Sequence, residues 1–153
     1  MRPISPTRRL FGLAILAGAA GLGTWRYLHP VFDGTQLSVA EAYAAAVAGD
    51  VVLVDIRRPE EWRDTGIGQG AHPLDMRRED FETELARLLD GDHGRAVALI
   101  CARGVRSARV ARRLSAAGFT GVIDVPEGML GSSAGPGWLA AGLPTDKYEG
   151  PVP

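Results

Sequence analysis

A repeated alternation constrains this chain more than any other feature: a short, continuous apolar run, a loop, then a helical segment. Val51-Val52-Leu53-Val54-Asp55-Ile56, Ala96-Val97-Ala98-Leu99-Ile100 and Gly121-Val122-Ile123-Asp124-Val125 are apolar at successive residues rather than at every second one. Strands of that kind are buried on both faces, the habit of a parallel sheet covered by helices. The segments between them have helical signatures. Ser38 and Glu41 form a capping box that opens an alanine-rich helix to about Ala48, closed by Gly49. Pro59-Glu60-Glu61-Trp62 starts a short helix, with proline near its first turn. Phe81, Leu85, Leu88 and Leu89 share one side of another helix, and Val110, Ala111, Leu114 and Ala117 one face of a third, which Gly118 stops. Residues 66–70 read as loop, 71–74 as a short strand, 136–141 as a last short helix and the stretch after 144 as irregular. The expected architecture is α/β, a mostly parallel central sheet with helices on both faces.

Ligands on such sheets bind outside the carboxyl ends of the strands. Cys101, the only cysteine, stands at one such end. It is followed by the compact loop Ala102-Arg103-Gly104-Val105-Arg106-Ser107. A strand-loop-helix junction aims backbone N–H groups and a helix N-terminus at whatever the loop encloses. Successive N–H groups bent around one point make an anion cradle, and Gly104 permits the tight turn. Arg103 and Arg106 add positive charge, and Ser107 adds a further donor. This setting favours thiolate, the nucleophilic form of cysteine. No histidine lies in the loop, so activation of Cys101 is expected to be electrostatic. Asp55, near the end of another strand, and Arg57 close after it are expected to border the same crevice, either touching substrate or forming a buried ion pair or hydrogen-bonded brace. Trp62 and Trp138 read as core.

One cysteine excludes an intramolecular disulfide, a CxxC redox pair and a cysteine-rich zinc site. His29, His72 and His93 show no metal-ligand spacing, so neither metal nor cofactor is expected. A formal net charge of −1 argues against nucleic acid as a partner. Residues 1–25 differ in kind from the rest. Arg2, Arg8 and Arg9 precede the uncharged stretch 10–25, rich in Ala, Gly and Leu. That is a basic segment before an apolar one, with Ala17-Gly18-Ala19 as a small-x-small cleavage pattern. Thr7-Arg8-Arg9-Leu10-Phe11 resembles a twin-arginine export signal. Residues 1–25 are therefore expected to be a signal peptide or an inner-membrane anchor, with membrane association through residues 10–25. Residues 26–35 are expected to be a linker. The protein is expected in the periplasm, or anchored facing it.

Three segments, in order, resemble a single-domain rhodanese, the thiosulfate sulfurtransferase-like family. They are Leu53-Val54-Asp55-Ile56-Arg57 with Pro59-Glu60-Glu61-Trp62; Cys101-Ala102-Arg103-Gly104-Val105-Arg106-Ser107; and Glu127-Gly128-Met129 with Trp138, Ala141, Gly142, Leu143 and Pro144. The resemblance implies a rhodanese-like domain over residues 36–148, with 149–153 as a tail. It implies a sulfurtransferase that takes sulfane sulfur from a small anionic donor such as thiosulfate. Cys101 would hold that sulfur as a persulfide and pass it to a thiol or cyanide acceptor. The loop 102–107 would bind the substrate, Arg106 would steady loop and anion, and Asp55 and Arg57 would support the site. Two departures leave donor and acceptor choice open: Gly66-Ile67-Gly68-Gln69-Gly70-Ala71 lacks the family's frequent histidine, and Arg58 stands where glutamate is frequent. The alternatives are a non-catalytic binding or redox-sensing module of the same fold, and a phosphatase. The phosphatases of this fold need five residues between cysteine and arginine, whereas four separate Cys101 from Arg106.

Overall fold

The computed structural model of the chain describes residues 32–150. The leader, membrane association through residues 10–25 and the first part of the expected linker lie outside the described residues. No helix among the described residues is long and apolar enough to cross a membrane.

Among the described residues, four helices and six strands follow one another: α1 (Val39–Ala48), β1 (Val52–Asp55), α2 (Pro59–Thr65), β2 (Ile67–Gly68), β3 (His72–Pro73), α3 (Phe81–Leu88), β4 (Val97–Ile100), α4 (Val105–Ala116), β5 (Val122–Val125) and β6 (Thr145–Asp146). The central sheet has the order β3-β1-β4-β5 and all its pairings are parallel. Every residue of β1, β4 and β5 is buried, as continuous apolar runs require.

Alternation along the strands sorts the core into two layers. Val52, Val54, Val97 and Leu99 point to one face, where they meet Phe81, Leu85, Ala111 and Leu114 from α3 and α4. Leu53, Ala98, Ile100, Ile123 and Val125 point to the other, against Val39 and Ala42 of α1 and against Met129 and Trp138. Trp62 and Trp138 are both buried. The capping box of α1 forms as its sequence implies: Ser38 accepts from the Glu41 amide, and the Glu41 carboxylate accepts from the Ser38 amide. Gly49 then closes the helix in the left-handed conformation.

Five local expectations are corrected. The loop and the irregular tail each contribute a two-residue strand, and β2 and β6 pair antiparallel. A Cβ on Gly68 would lie 2.8 Å from the Trp138 ring, so glycine is what lets this small sheet close over the tryptophan. Residues 136–141 form hydrogen-bonded turns rather than a helix, since Gly137 and Gly142 have positive φ angles of 84° and 68° at either end. Ala117 is exposed, because α4 ends at Ala116 and the periodicity stops there. The expected linker joins the fold from Phe32, whose ring is in the core, and the Thr35 carbonyl accepts from the Asp124 amide at 3.0 Å.

Candidate active site

Cys101 follows β4 and points to the same face as Val97 and Leu99, buried above α4. The chain turns at once. Gly104 has φ +80°, and a Cβ there would stand 2.1 Å from the Pro126 carbonyl oxygen. Only glycine satisfies both the left-handed backbone and that approach. Helix α4 begins at Val105, earlier than a loop through Ser107 would allow, so Val105, Arg106 and Ser107 form its first turn. Their N–H groups have no partner inside the helix. Among the described residues the amides of Ala102, Arg103 and Gly104 also find no protein acceptor. A run of open amides therefore follows the sulfur along the loop, as an anion cradle demands. The cradle is held from outside: the Met129 and Leu130 amides donate to the carbonyls of Cys101 and Ala102 at 2.8 and 2.9 Å.

The two arginines take different places. Arg103 is exposed at mid-loop. Arg106 is half-buried and clasps Glu61 of α2 through two bonds, of 2.7 and 2.6 Å. The Glu61 contacts raise the Arg106 pKa above its usual value against the opposing effect of burial, and the Cys101 sulfur also raises it. Burial pushes the Glu61 carboxyl up, but bonds from Arg106 and the Arg58 amide outweigh it and leave the pKa below the usual carboxylate value. Glu61 thus caps α2 and aims Arg106 at the loop. Nothing in the sequence pairs residues 45 positions apart, so this role went unread.

Asp55 and Arg57 are brought together as an ion pair. The Arg57 guanidinium donates to Asp55 at 3.0 and 2.7 Å, and also to Thr65 and to the carbonyls of Glu61 and Gly66. All of these bonds tie the end of β1 to α2, which carries Glu61. The pair reaches the loop through that helix and makes no direct bond to Cys101.

Two further polar groups lie in the Cys101 layer of the sheet. The Cys101 thiol donates to the Ser107 hydroxyl at 3.6 Å, and Ser107 donates to the Gly104 carbonyl at 3.0 Å. Asp124 lies on the same sheet face as Val122, in the Cys101 layer, and is 1% exposed. Its Oδ1 has no hydrogen-bond partner among the described residues. Burial raises its pKa to about 6, and the weaker opposing influence of the polar groups of Ser107 and Val125 does not offset it. Its signal was an acid inside an otherwise apolar buried run.

Asp124 carries a stability prediction. A carboxyl raised from 3.8 to about 6 by folding is protonated at no penalty below pH 4, and the penalty builds as pH rises towards 6. At pH 7 the ionised form costs the folded state about 2–3 kcal/mol. Asp124→Asn is therefore expected to be the more stable protein at pH 7, with the advantage gone below pH 4. Urea denaturation at both values checks this, and an equal difference at the two would refute it.

A cavity of about 480 Å³ lies elsewhere, along the edge strand, lined by Trp62, Pro73, Leu74, Arg77 and Tyr148 among others. It does not include Cys101. Among the described residues no group of three His, Cys, Asp or Glu side chains is placed to hold a metal ion.

A parallel sheet covered on both faces, with a cysteine at the start of a tight, glycine-turned loop at its carboxyl edge, defines a class of α/β domain. Residues 38–134 match the rhodanese-like domain model, and the chain belongs to that family. Among curated proteins no sequence match is found. Similar solved structures include the polysulfide-sulfur transferase homodimer of Wolinella succinogenes, 26% identical, with a TM-score of 0.59 over 76% of this chain and 81% of that one. A Rhodopseudomonas palustris protein of unknown function, described as a possible tyrosine phosphatase, is 27% identical, with a TM-score of 0.55 over 73% and 84%. The thiosulfate sulfurtransferase of Pseudomonas aeruginosa shares the fold at 23% identity and a TM-score of 0.58, over 74% of this chain and 20% of that one.

Proposed function

We propose that this domain is a sulfurtransferase that carries sulfane sulfur as a persulfide on Cys101. The observation that carries the reading is the loop: a buried thiol followed directly by a run of open amides, with an arginine held by Glu61 in the first turn of the helix after it. The likeness to a polysulfide-sulfur transferase supports it. The thiolate of Cys101 attacks the outer sulfur of a donor such as thiosulfate. A new S–S bond forms, the bond to the sulfonyl group breaks, and sulfite leaves with the electron pair. The persulfide anion then sits among the amides of residues 102–107. An acceptor thiolate or cyanide takes the terminal sulfur, and the Cys101 thiolate returns as leaving group. The loop spans one residue fewer than the phosphatases of this fold need, so its ring suits a sulfur atom better than a tetrahedral phosphate. The deciding experiment exposes purified protein to thiosulfate, measures mass, then adds cyanide. A gain of one sulfur atom on Cys101, released as thiocyanate, is the expected result. No adduct and no thiocyanate would end the proposal in favour of a binding or redox-sensing module.

Arg106→Ala is expected to slow sulfur uptake more than Arg103→Ala, because Arg106 is anchored at the loop while Arg103 faces solvent. Losing a charged donor to a buried group costs about 1.5–3 kcal/mol. That is roughly ten- to a hundredfold if the bond tightens in the transition state. Stopped-flow uptake of thiosulfate ranks the variants, and a slower Arg103→Ala would reverse the roles.

The leader supports a place outside the cytoplasm: we propose the periplasmic side of a bacterial inner membrane. Arg8→Lys with Arg9→Lys is expected to block export by the twin-arginine route. Cell fractionation reads the result, and native protein in the cytoplasm with Met1 retained would refute export.

A further inference from the structure

Among the described residues four large apolar side chains are exposed, and three of them belong to the Cys101 loop or the backbone bonded to it. Val105 is 41% exposed and opens the first turn of α4. Leu130 is 44% exposed, and its amide donates to the Ala102 carbonyl at 2.9 Å. Leu139 is 37% exposed and one step further out: its amide donates to the Met129 carbonyl, while the Met129 amide donates to the Cys101 carbonyl. A small anionic donor needs no such apolar rim. Open apolar surface beside polar groups is the mark of a protein contact.

Charge is distributed as unevenly. Arg77, Arg78, Arg87, Arg95 and Arg113 are exposed, and each meets an acid. Arg103, Arg109 and Arg112 are exposed as well, yet among the described residues none of them has an ion pair or a side-chain hydrogen bond. The other two arginines without an acid, Arg58 and Arg63, lie at α2. Val105, Arg109, Arg112 and Ala116 recur at helical spacing and are all exposed, so they line one face of α4. The helix contains no acid to offset them, and like charges three residues apart repel. From Val105 to Arg112 this face runs about 10 Å, too far for one small anion to bridge.

We propose that this apolar and basic surface, from Leu130 and Arg103 at the loop to Arg112 on α4, docks a protein whose acceptor thiol is flanked by apolar and acidic side chains. Charge complementarity selects the partner, since unpaired guanidiniums attract carboxylates and steer their approach. The acceptor role rests on the sulfur transfer proposed above; the docking does not. Cys101 is the only cysteine, so its sulfur must leave to another molecule. The partner's thiolate attacks the terminal sulfur of the persulfide. A new S–S bond forms on the partner, the old one breaks, and the Cys101 thiolate leaves with the electron pair.

The docking test uses no sulfur donor. The probe is a fluorescently labelled peptide of alternating leucine and glutamate around a central serine, and its binding to the whole chain is followed by anisotropy. Binding is expected to weaken as salt is added, and a glutamine counterpart should bind far less. Arg109→Gln with Arg112→Gln is expected to weaken binding of the acidic peptide about fivefold, and Leu130→Ser to weaken it as well. The transfer test replaces the peptide's serine with cysteine and follows discharge of thiosulfate-loaded protein. The double arginine variant should discharge to this peptide more slowly, with discharge to cyanide unchanged. Equal binding of the acidic and glutamine peptides, or no effect of the double variant, would overturn the proposal. Binding to phosphatidylglycerol vesicles in place of the peptide, lost in the double variant, would overturn it in favour of a membrane surface. A dimer in sedimentation that the double variant dissociates would overturn it in favour of a second copy of this chain. Failure of thiosulfate to load Cys101, with peptide binding and its arginine dependence intact, counts against sulfur transfer and not against the docking surface.

Discussion

Cys101→Ser is expected to abolish both thiosulfate uptake and thiocyanate release, with the rate falling to the uncatalysed background. Serine is close in size and can keep the bond to the Ser107 hydroxyl, so the fold and the loop should persist. The chemistry cannot persist. An alcohol stays protonated where a thiol ionises, and oxygen forms no stable counterpart of the persulfide. The loss should thus exceed that from any change to the surrounding arginines, because those tune a step that Cys101 performs. Thermal melting of the two proteins, paired with a thiocyanate assay, separates the effects. Native-like melting with background activity supports the assignment. Equal activity in both proteins would show that sulfur is carried elsewhere, and no other cysteine exists to carry it.

How much of this could be read beforehand follows from the range of the forces involved. β1, β4 and β5 were legible because a strand buried on both faces writes itself as an unbroken apolar run. α1 was legible because its cap is local: Ser38 and Glu41 are three residues apart and satisfy each other. Cys101, Gly104 and Ser107 were legible as a group because strand, turn and helix start are contiguous. What escaped was long in range or short in extent. β2 and β6 have two residues each, too few for any period, and only folding brings Ile67 opposite Asp146. The Glu61–Arg106 clasp joins two helices that sequence spacing cannot place side by side. Asp124 was in plain view inside its strand, but its burial in the Cys101 layer depends on the register that sets it opposite Leu99. Asp55 and Arg57 were read as either a buried brace or a substrate contact, and the structure brings them together as a buried ion pair.

Asp55→Ala is expected to cost more stability than any other single change at the carboxyl edge of the sheet. Asp55 and Arg57 are respectively 0% and 1% exposed, so neither charge is screened by water. Removing the carboxylate leaves a guanidinium buried without its counter-charge, for which about 3–5 kcal/mol is the usual penalty. Urea denaturation at pH 7 measures it, and a loss below about 1 kcal/mol would mean that water reaches the pair and that its bracing role is overstated. Activity gives the second half of the test. Arg57 spends its donors on Asp55, Thr65 and the carbonyls of Glu61 and Gly66. A pair committed in this way supports the site only through α2 and Glu61. At a temperature where Asp55→Ala remains folded, it should therefore take up thiosulfate with a KM near that of the wild type. A greatly raised KM in a folded variant would show that the pair meets the donor directly. The paired replacement Asp55→Leu with Arg57→Met provides the internal control. It removes both charges together, so it should recover part of the stability that Asp55→Ala loses, short of full recovery because the partners of Arg57 on α2 lose their donor.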